Sequence, residues 1–295
     1  MPEKGKLKQL SMSQVIKVDI EKVISSKSTK LAKYAPKFII NWLKSLIHQD
    51  EINAALEQCK GKEGRDFAKG ALEFLNVNCN VIYTDKSALK QDDRYIFVSN
   101  HPLGGLDGLI LISELGSLMG NILFVVNDFL MHIKPLESIF VPINKVGKMG
   151  KDYSERYEAA YSSDSQILYF PAGLCSRLID GEVMDLEWKT SYIKQARRYG
   201  RKIVPVYFSG QNSKFFYRLA KVRKILGIKF NIEMCFLPDE MFKQKNANFD
   251  VVIGTPIDVP KYGNVKDLER INHSIRTQAY ALKREIDTKN LLCNQ

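Results

Sequence analysis

Short apolar runs alternate with helical segments from Val77 onwards, and this alternation limits the folds that the chain can adopt. The runs are rich in β-branched and aromatic residues and lie at 81–83, 95–99, 122–126, 139–143, 167–170, 203–208, 231–237 and 251–253. Segments with helical spacing lie between several of them, at 109–118, 153–161, 188–199 and 213–226. Strands that alternate with helices favour an α/β fold, in which helices cover both faces of a mixed, largely parallel central sheet.

Helical patterns flank this region at both ends. Apolar residues follow helical spacing over 38–47, 51–59 and 66–75, and again over 268–286. The last stretch predicts one long amphipathic helix. We therefore expect an N-terminal helical segment over residues 1–78, followed by an α/β domain with a C-terminal amphipathic helix over residues 79–295.

The chain carries an excess of positive charge. Lys and Arg number 44 against 33 Asp and Glu, which gives a formal net charge of +11. Such an excess suits an anionic membrane surface, a nucleic acid, or an acidic substrate or carrier. The sequence has no helix-turn-helix, zinc-finger or aromatic RNA-binding signature, so we expect no nucleic-acid partner.

Two regions concentrate the basic residues. The first 48 residues include many lysines around an apolar helix that contains Trp42, and residues 214–230 contain six basic residues, several aromatics and no acid. Basic amphipathic helices of this kind are typical of proteins that lie on anionic membranes. Two alternatives stay open: the apolar faces pack on the sheet beneath solvated lysines, or the basic surface docks an acidic acyl carrier protein.

Cysteine usage and hydropathy indicate the compartment. The five cysteines form no C-x-x-C pair, which fits a reducing cytosol and argues against a zinc site. The longest apolar stretch, 109–126, is interrupted by Glu114 and by two glycines, so we expect no transmembrane segment and no signal peptide. We predict a cytoplasmic protein that is peripheral on the inner face of the cytoplasmic membrane.

A histidine and an aspartate follow the second predicted strand. The segment after Ser99 reads Asn100-His101-Pro102-Leu103-Gly104-Gly105-Leu106-Asp107-Gly108. In open α/β sheets, chemistry collects beyond the carboxyl ends of the strands. A glycine-rich turn can fold Asp107 back onto His101, and a carboxylate that fixes the imidazole tautomer creates a general base. The alternative is a strand-end turn whose histidine only caps the next helix.

Two further blocks follow in order. Phe170-Pro171-Ala172-Gly173-Leu174-Cys175-Ser176-Arg177 comes after an apolar strand, and Val204-Pro205-Val206 lies further downstream. With the His101 block, these resemble the glycerolipid acyltransferase family over about residues 80–260. The resemblance implies a glycerol-3-phosphate acyltransferase-like fold. It also implies transfer of a fatty acyl group from an acyl carrier protein or coenzyme A thioester to a hydroxyl, with no metal or redox cofactor.

The chain departs from the family pattern at two positions. Five residues separate His101 from Asp107, where the family has four, and Ala172 stands where the family has a glutamate assigned to acceptor binding. The Phe-Pro-Ala-Gly variant, with segments 209–213 and 237–242, is similar to the hemolysin-like branch, which includes O-acyltransferases that complete ornithine or glycine lipids. We therefore expect a lyso-aminolipid acceptor. The alternatives are 1-acylglycerol-3-phosphate acylation in phospholipid synthesis, and a membrane-binding hemolysin-like protein without enzymatic activity.

The resemblance implies roles for individual residues. His101 removes the hydroxyl proton and Asp107 orients His101, while backbone N–H groups near Gly104 and Gly105 stabilise the oxyanion. Ser176 and Arg177 would hold an anionic group. The full set of predicted substrate-binding residues is Asn100, Gly104, Gly105, Asn144, Lys145, Phe170, Pro171, Gly173, Ser176 and Arg177. Asn144 stands where the family has an arginine near the acceptor and Lys145 follows it, so we expect one of these two residues to contact the acceptor.

Overall fold

The computed structural model describes residues 17–22, 36–143, 151–260 and 264–293. Its helices are α1 (Lys37–Leu46), α2 (Gln49–Gln58), α3 (Gly64–Leu75), α4 (Leu106–Met119), α5 (Lys151–Ser162), α6 (Ser191–Tyr199), α7 (Lys214–Ile225), α8 (Leu237–Lys243), α9 (Val265–Ala281) and α10 (Lys283–Cys293). Its strands are β1 (Asn78–Tyr83), β2 (Tyr95–Ser99), β3 (Ile122–Asn127), β4 (Phe140–Ile143), β5 (Gln166–Tyr169), β6 (Arg177–Ile179), β7 (Glu182–Met184), β8 (Lys202–Phe208) and β9 (Asn248–Ile253).

The described residues form a seven-stranded sheet in the order β1-β9-β8-β2-β5-β3-β4. Five neighbouring strands of this sheet are parallel to one another, namely β8, β2, β5, β3 and β4. At the other edge, β9 is antiparallel to β8 and parallel to β1. The prediction of a mixed, largely parallel α/β sheet is therefore confirmed.

The central strand β2 separates two apolar cores. Tyr95 and Phe97 pack with α3 and α4 on one face, while Ile96 and Val98 pack with α5, α6 and α9 on the other. Every side chain of β2 is buried, as expected for a strand of a parallel sheet that helices cover on both faces. This arrangement leaves the residues that follow β2 at the middle of the carboxyl edge.

Two sequence predictions about elements were wrong, and one element was not predicted. Residues 231–237 were predicted to form a strand, but they contain a 3₁₀ helix, Ile232–Phe236, that is followed directly by α8. A strand does not form because Glu233 turns inward to pair with two arginines and because Pro238 lies in the first turn of α8. The C-terminal pattern forms two helices, since α9 packs against β8 and α10 against β9. The short antiparallel hairpin of β6 and β7 was not predicted.

The N-terminal helices differ in how they meet the sheet. α3 packs along α4 and contributes Phe67 and Leu72 to the core, whereas α1 buries none of its side chains. The predicted boundary at residue 78 stays a prediction. Within the part of the chain that the structure describes, no helix has the length and apolar character needed to cross a bilayer.

Arg201 holds the amino ends of the strands together. This residue is 2% exposed, and its guanidinium donates hydrogen bonds to main-chain carbonyls at the end of α5 and beside β2 and β5. The acceptors are the carbonyls of Tyr161 at 2.9 Å, Ser165 at 2.8 Å, Ala160 at 3.3 Å, Tyr95 at 3.4 Å, and Ser163. Burial, with the nearby charge of Arg94, lowers the pKa of Arg201 to about 10. The guanidinium therefore satisfies carbonyls that α5 leaves unpaired at its carboxyl end.

Arg201→Met is expected to lower the free energy of unfolding by about 3 kcal/mol or more, because buried carbonyls lose their donors. Arg198→Met is the matched control, since Arg198 is exposed and makes a surface pair with Glu158 at 3.1 Å. We expect the control to lose under about 1 kcal/mol. Urea denaturation of both variants measures the difference, and equal losses would contradict the bracing role of Arg201.

Candidate active site

His101 and Asp107 meet just beyond the carboxyl end of β2. The Asp107 carboxylate lies in the first turn of α4, and its Oδ2 is 2.9 Å from His101 Nδ1. The turn between them places Gly104 at φ +78°, and a Cβ there would lie 2.9 Å from Leu237 Cδ1. A glycine is therefore required at this position. The longer spacing between the two residues leaves the pair intact.

Asp107 is fully buried, and backbone donors surround it. Oδ2 also accepts the N–H of Leu103 at 3.0 Å, while Oδ1 accepts those of Gly105 at 3.1 Å and Gly108 at 2.9 Å. Burial alone would raise the pKa of Asp107, but the charge of protonated His101 and these hydrogen bonds outweigh it and lower that pKa below its usual range. The carboxylate is therefore held ionised beside the imidazole.

Phe170 packs on one face of the His101 ring. The two rings are stacked, with centroids 4.0 Å apart and an interplanar angle of 17°. Phe124 in turn packs edge-on against Phe170 at 5.4 Å. The imidazole therefore lies against an aromatic wall and keeps 16% of its side-chain surface exposed. Phe170 thus stacks on the histidine, and its role in substrate binding stays a prediction.

The second sequence block supports the main chain of His101. The Ser176 N–H donates to the His101 carbonyl at 2.7 Å, and the Ser176 hydroxyl donates to Asp185 Oδ1 at 2.6 Å. Asp185 also accepts the backbone N–H of His101 at 3.1 Å. Sequence reasoning missed Asp185, because an isolated aspartate after a short hairpin matches none of the recognised blocks.

Two other predicted site residues, Asn100 and Arg177, bond to the protein itself. Asn100 exchanges two hydrogen bonds with the Phe208 main chain, at 2.9 and 2.7 Å, and so joins the ends of β2 and β8. Arg177 donates to the Cys175 carbonyl at 2.7 Å and pairs with buried Glu233 at 2.8 Å. Glu233 also meets Arg223 of α7 at 2.9 Å. Asn144 and Lys145 lie outside the described residues.

The turn after β5 carries the remaining predicted residues. The Pro171 carbonyl accepts the Lys189 N–H at 3.1 Å, and Gly173 adopts φ +65° with open space where a Cβ would stand. Ala172 is 8% exposed and packs in the core on the α6 and α9 face. The roles of all these residues in substrate binding remain predictions.

A largely apolar cavity of about 380 Å³ opens beside the pair. His101, Gly104 and Gly105 line it together with side chains of α2, α3, α4, α8 and the turns between β3 and β4. Among the described residues, the lining includes His132 and Lys134 but no Asp or Glu. A long apolar ligand with one reactive polar group near His101 matches this lining.

Metal-binding side chains do not gather at this site. Across residues 17–22, 36–143, 151–260 and 264–293, no three His, Cys, Asp or Glu side chains come close enough together to hold a metal ion. The expectation that the reaction needs no metal or redox cofactor stays a prediction.

A family model described as an acyltransferase matches residues 22–289. The chain belongs to this acyltransferase family. It is 47% identical over 241 residues to a lyso-glycine lipid O-acyltransferase from Bacteroides thetaiotaomicron, a match that covers 81% of this chain and 88% of the relative. A second lyso-glycine lipid O-acyltransferase, from Phocaeicola vulgatus, is 40% identical over 275 residues, which cover 93% and 98% of the two chains.

The acyltransferase is also similar to a solved structure. The crystal structure of the 1-acyl-sn-glycerophosphate (LPA) acyltransferase PlsC from Thermotoga maritima matches with a TM-score of 0.47 and 15% identity, over 90% of this chain and 94% of that one. The family model and the two relatives, rather than this structure, confirm the resemblance inferred from the three sequence blocks at the level of the acyltransferase family.

Asp107→Asn is expected to destabilise the acyltransferase by about 2 kcal/mol at pH 7, because the new amide group faces a backbone N–H donor in either orientation. The pKa of Asp107 is lowered by folding. Its contribution is therefore complete above the unfolded pKa, about 3.9, and is lost as the pH falls through the lower folded value.

Urea denaturation of both proteins between pH 7 and pH 2.5 measures this effect. The difference in unfolding free energy should be constant down to about pH 5 and shrink below about pH 4. Asp92→Asn, at an exposed position, serves as a control and should change stability by under about 0.5 kcal/mol. A difference for Asp107→Asn that persists undiminished at pH 2.5 would argue against a lowered pKa.

Proposed function

We propose that this acyltransferase moves a fatty acyl group from an acyl thioester to the hydroxyl of a lyso-aminolipid of the glycine lipid type. The observation that carries the proposal is the His101–Asp107 pair, 2.9 Å apart, of which His101 lines an apolar cavity. The acceptor class is supported by the two relatives that are 47% and 40% identical and are named lyso-glycine lipid O-acyltransferases.

In the proposed mechanism, His101 is the general base. Nδ1 carries the proton that faces Asp107, so Nε2 is free to accept the hydroxyl proton while the oxygen bonds to the thioester carbonyl carbon. The ionised Asp107 stabilises the imidazolium that forms. When the tetrahedral intermediate collapses, the carbon–sulfur bond breaks and the imidazolium returns the proton to the leaving thiolate. The proposal involves no metal or redox cofactor.

The apolar cavity would hold a fatty chain with its reactive end at His101. Its lining is contributed by α2, α3, α4 and α8, and the alkyl chains of both substrates are apolar. Burial of such a chain is favourable by about 0.8 kcal/mol for each CH₂ group. We propose that the donor is an acyl carrier protein or coenzyme A thioester, whose anionic character suits a chain of net charge +11.

The purified protein is expected to acylate lyso-glycine lipid from an acyl thioester, with lysophosphatidate as the competing acceptor in the same assay. His101→Ala should lower kcat at least about 100-fold, because the base is lost. His273→Ala, which removes an exposed histidine of α9, should have no effect. Product formation is followed by mass spectrometry.

The two acceptors separate the alternatives. Preferential acylation of lysophosphatidate would replace the glycine lipid proposal with phospholipid synthesis. Vesicle leakage without acyl transfer would favour the hemolysin-like alternative. Full activity of the His101→Ala protein would remove His101 as the base.

We also propose that the protein lies on the anionic inner face of the cytoplasmic membrane, where its lipid substrates are held. α7 buries Phe216, Tyr217 and Ala220 against the domain, so part of the pattern serves packing. Its opposite side and the residues after it expose large apolar side chains, namely Phe215 at 50%, Val222 at 50%, Ile225 at 73%, Leu226 at 66% and Phe230 at 67%. Five exposed basic residues lie among them in the sequence, namely Lys214, Arg218, Lys221, Lys224 and Lys229.

This mixture of exposed apolar and basic side chains suits an anionic bilayer surface. Each basic residue contributes about 1 kcal/mol of attraction near such a surface. α1 provides a second candidate surface, since Phe38 is 73% and Trp42 is 54% exposed. The acyl carrier protein is the competing partner for the same basic residues.

Leu226→Glu combined with Phe230→Glu is expected to weaken binding to phosphatidylglycerol vesicles at least about tenfold, since two apolar contacts are lost and two negative charges are added. Leu291→Glu is the matched control, because Leu291 is 69% exposed on α10. Vesicle co-sedimentation measures both variants. Unchanged binding of the double variant would remove the residues after α7 from the membrane contact.

A further inference from the structure

A second buried carboxylate lies behind the catalytic turn. Asp185 follows β7 and is 0% exposed. Its Oδ1 accepts the His101 N–H at 3.1 Å and the Ser176 hydroxyl at 2.6 Å, and its Oδ2 accepts the Trp188 indole N–H at 2.8 Å. Both oxygens are thus occupied by protein donors, and the side chain has no surface on which a substrate could bind.

Helix α9 fixes the main chain of Asp185 from the opposite side. The Asp185 N–H donates to the Tyr280 hydroxyl at 2.7 Å, and Arg276 Nη2 donates to the Asp185 carbonyl at 2.8 Å. The carboxylate is therefore placed by α9, and it places His101 in turn. Together these contacts connect a helix on one face of the sheet to the residue at the carboxyl end of β2.

Burial of this carboxylate opposes folding. Removal from water raises the pKa of Asp185, even though the Ser176, His101 and Trp188 donors act in the other direction. An apolar residue of similar size would avoid that penalty but would leave the His101 N–H without an acceptor. Since Ser176 N–H binds the His101 carbonyl at 2.7 Å, both polar groups of the His101 main chain are held by the segment 176–185.

We propose that Asp185 is a positioning residue for the transfer reaction: it fixes the His101 main chain so that the imidazole stays aligned between Asp107 and Phe170. The inference rests on the proposed function, in which His101 is the base. A displacement of about 1 Å in a reacting group can slow a reaction about 100-fold. Loss of the carboxylate should therefore slow the chemical step without weakening substrate binding.

The test compares Asp185→Asn with the double variant Asp185→Asn/Trp188→Phe. An asparagine can still accept from His101 and Ser176, but its amide group then faces the Trp188 indole N–H, donor against donor. We expect kcat of the folded Asp185→Asn protein to fall about 10- to 100-fold, with KM for lyso-glycine lipid and for the thioester changed less than about threefold. Trp188→Phe removes the opposing N–H, so the double variant should recover to within about threefold of the wild type.

Two further variants keep the test decisive. Gln166 is buried at the amino ends of the strands, where its side chain accepts the Tyr95 N–H at 2.7 Å. Gln166→Met should therefore lower stability but leave kcat of the folded protein unchanged. If Asp185→Asn does not fold, Tyr280→Phe removes only the acceptor of the Asp185 N–H, and should lower kcat about three- to tenfold at constant KM. Folded protein is measured by circular dichroism at the assay temperature.

The outcomes separate the two proposals. A wild-type protein that transfers no acyl group would overturn the proposed function. An active wild type whose Asp185→Asn variant keeps full kcat, loses affinity instead of kcat, or is not restored by Trp188→Phe would overturn only the positioning role. If Asp185→Asn does not fold, an unchanged kcat of the Tyr280→Phe protein would overturn the positioning role instead.

Discussion

The negative charge of Asp107 has no access to water, and the region after β2 is organised around satisfying it. Three backbone N–H groups and one imidazole nitrogen converge on the two carboxylate oxygens. To bring those donors together, the chain must make a tight turn through Gly104 and begin α4 at Leu106. The geometry of the His101–Asp107 pair and the start of a central helix therefore depend on the same interaction.

The parallel arrangement of β2 and β5 explains why two distant sequence blocks form one site. Neighbouring parallel strands end at the same edge, so the residues after β5 reach the turn after β2. Phe170 stacks on the imidazole, and Ser176 binds the His101 carbonyl. Further along the same segment, Asp185 accepts the His101 N–H. The position of the His101 imidazole is thus set by two strand ends and by the hairpin that follows one of them.

Sequence reasoning predicted the sheet, the layers and the His101–Asp107 pair, because these follow from periodicity and from a short local turn. It failed where long-range polar contacts decide the structure. Residues 231–237 have a strand-like pattern, yet buried Glu233 pairs with Arg177 and Arg223 from distant parts of the chain. Asp185 accepts a hydrogen bond from His101, which lies 84 residues earlier in the sequence, and no local sequence pattern predicts such a contact. The same limit explains why Arg177 was predicted to face an anion, while its guanidinium meets a protein carboxylate.

The location of Ala172 restricts which side chains position 172 can accommodate. Its side chain belongs to the core on the α6 and α9 face and is not among the residues that line the cavity beside His101. An acidic side chain introduced there would lose its hydration among apolar neighbours before it could meet any substrate. A glutamate at position 172 would thus require compensating changes in the surrounding core, so any return to the family pattern at this position would pass through destabilised proteins.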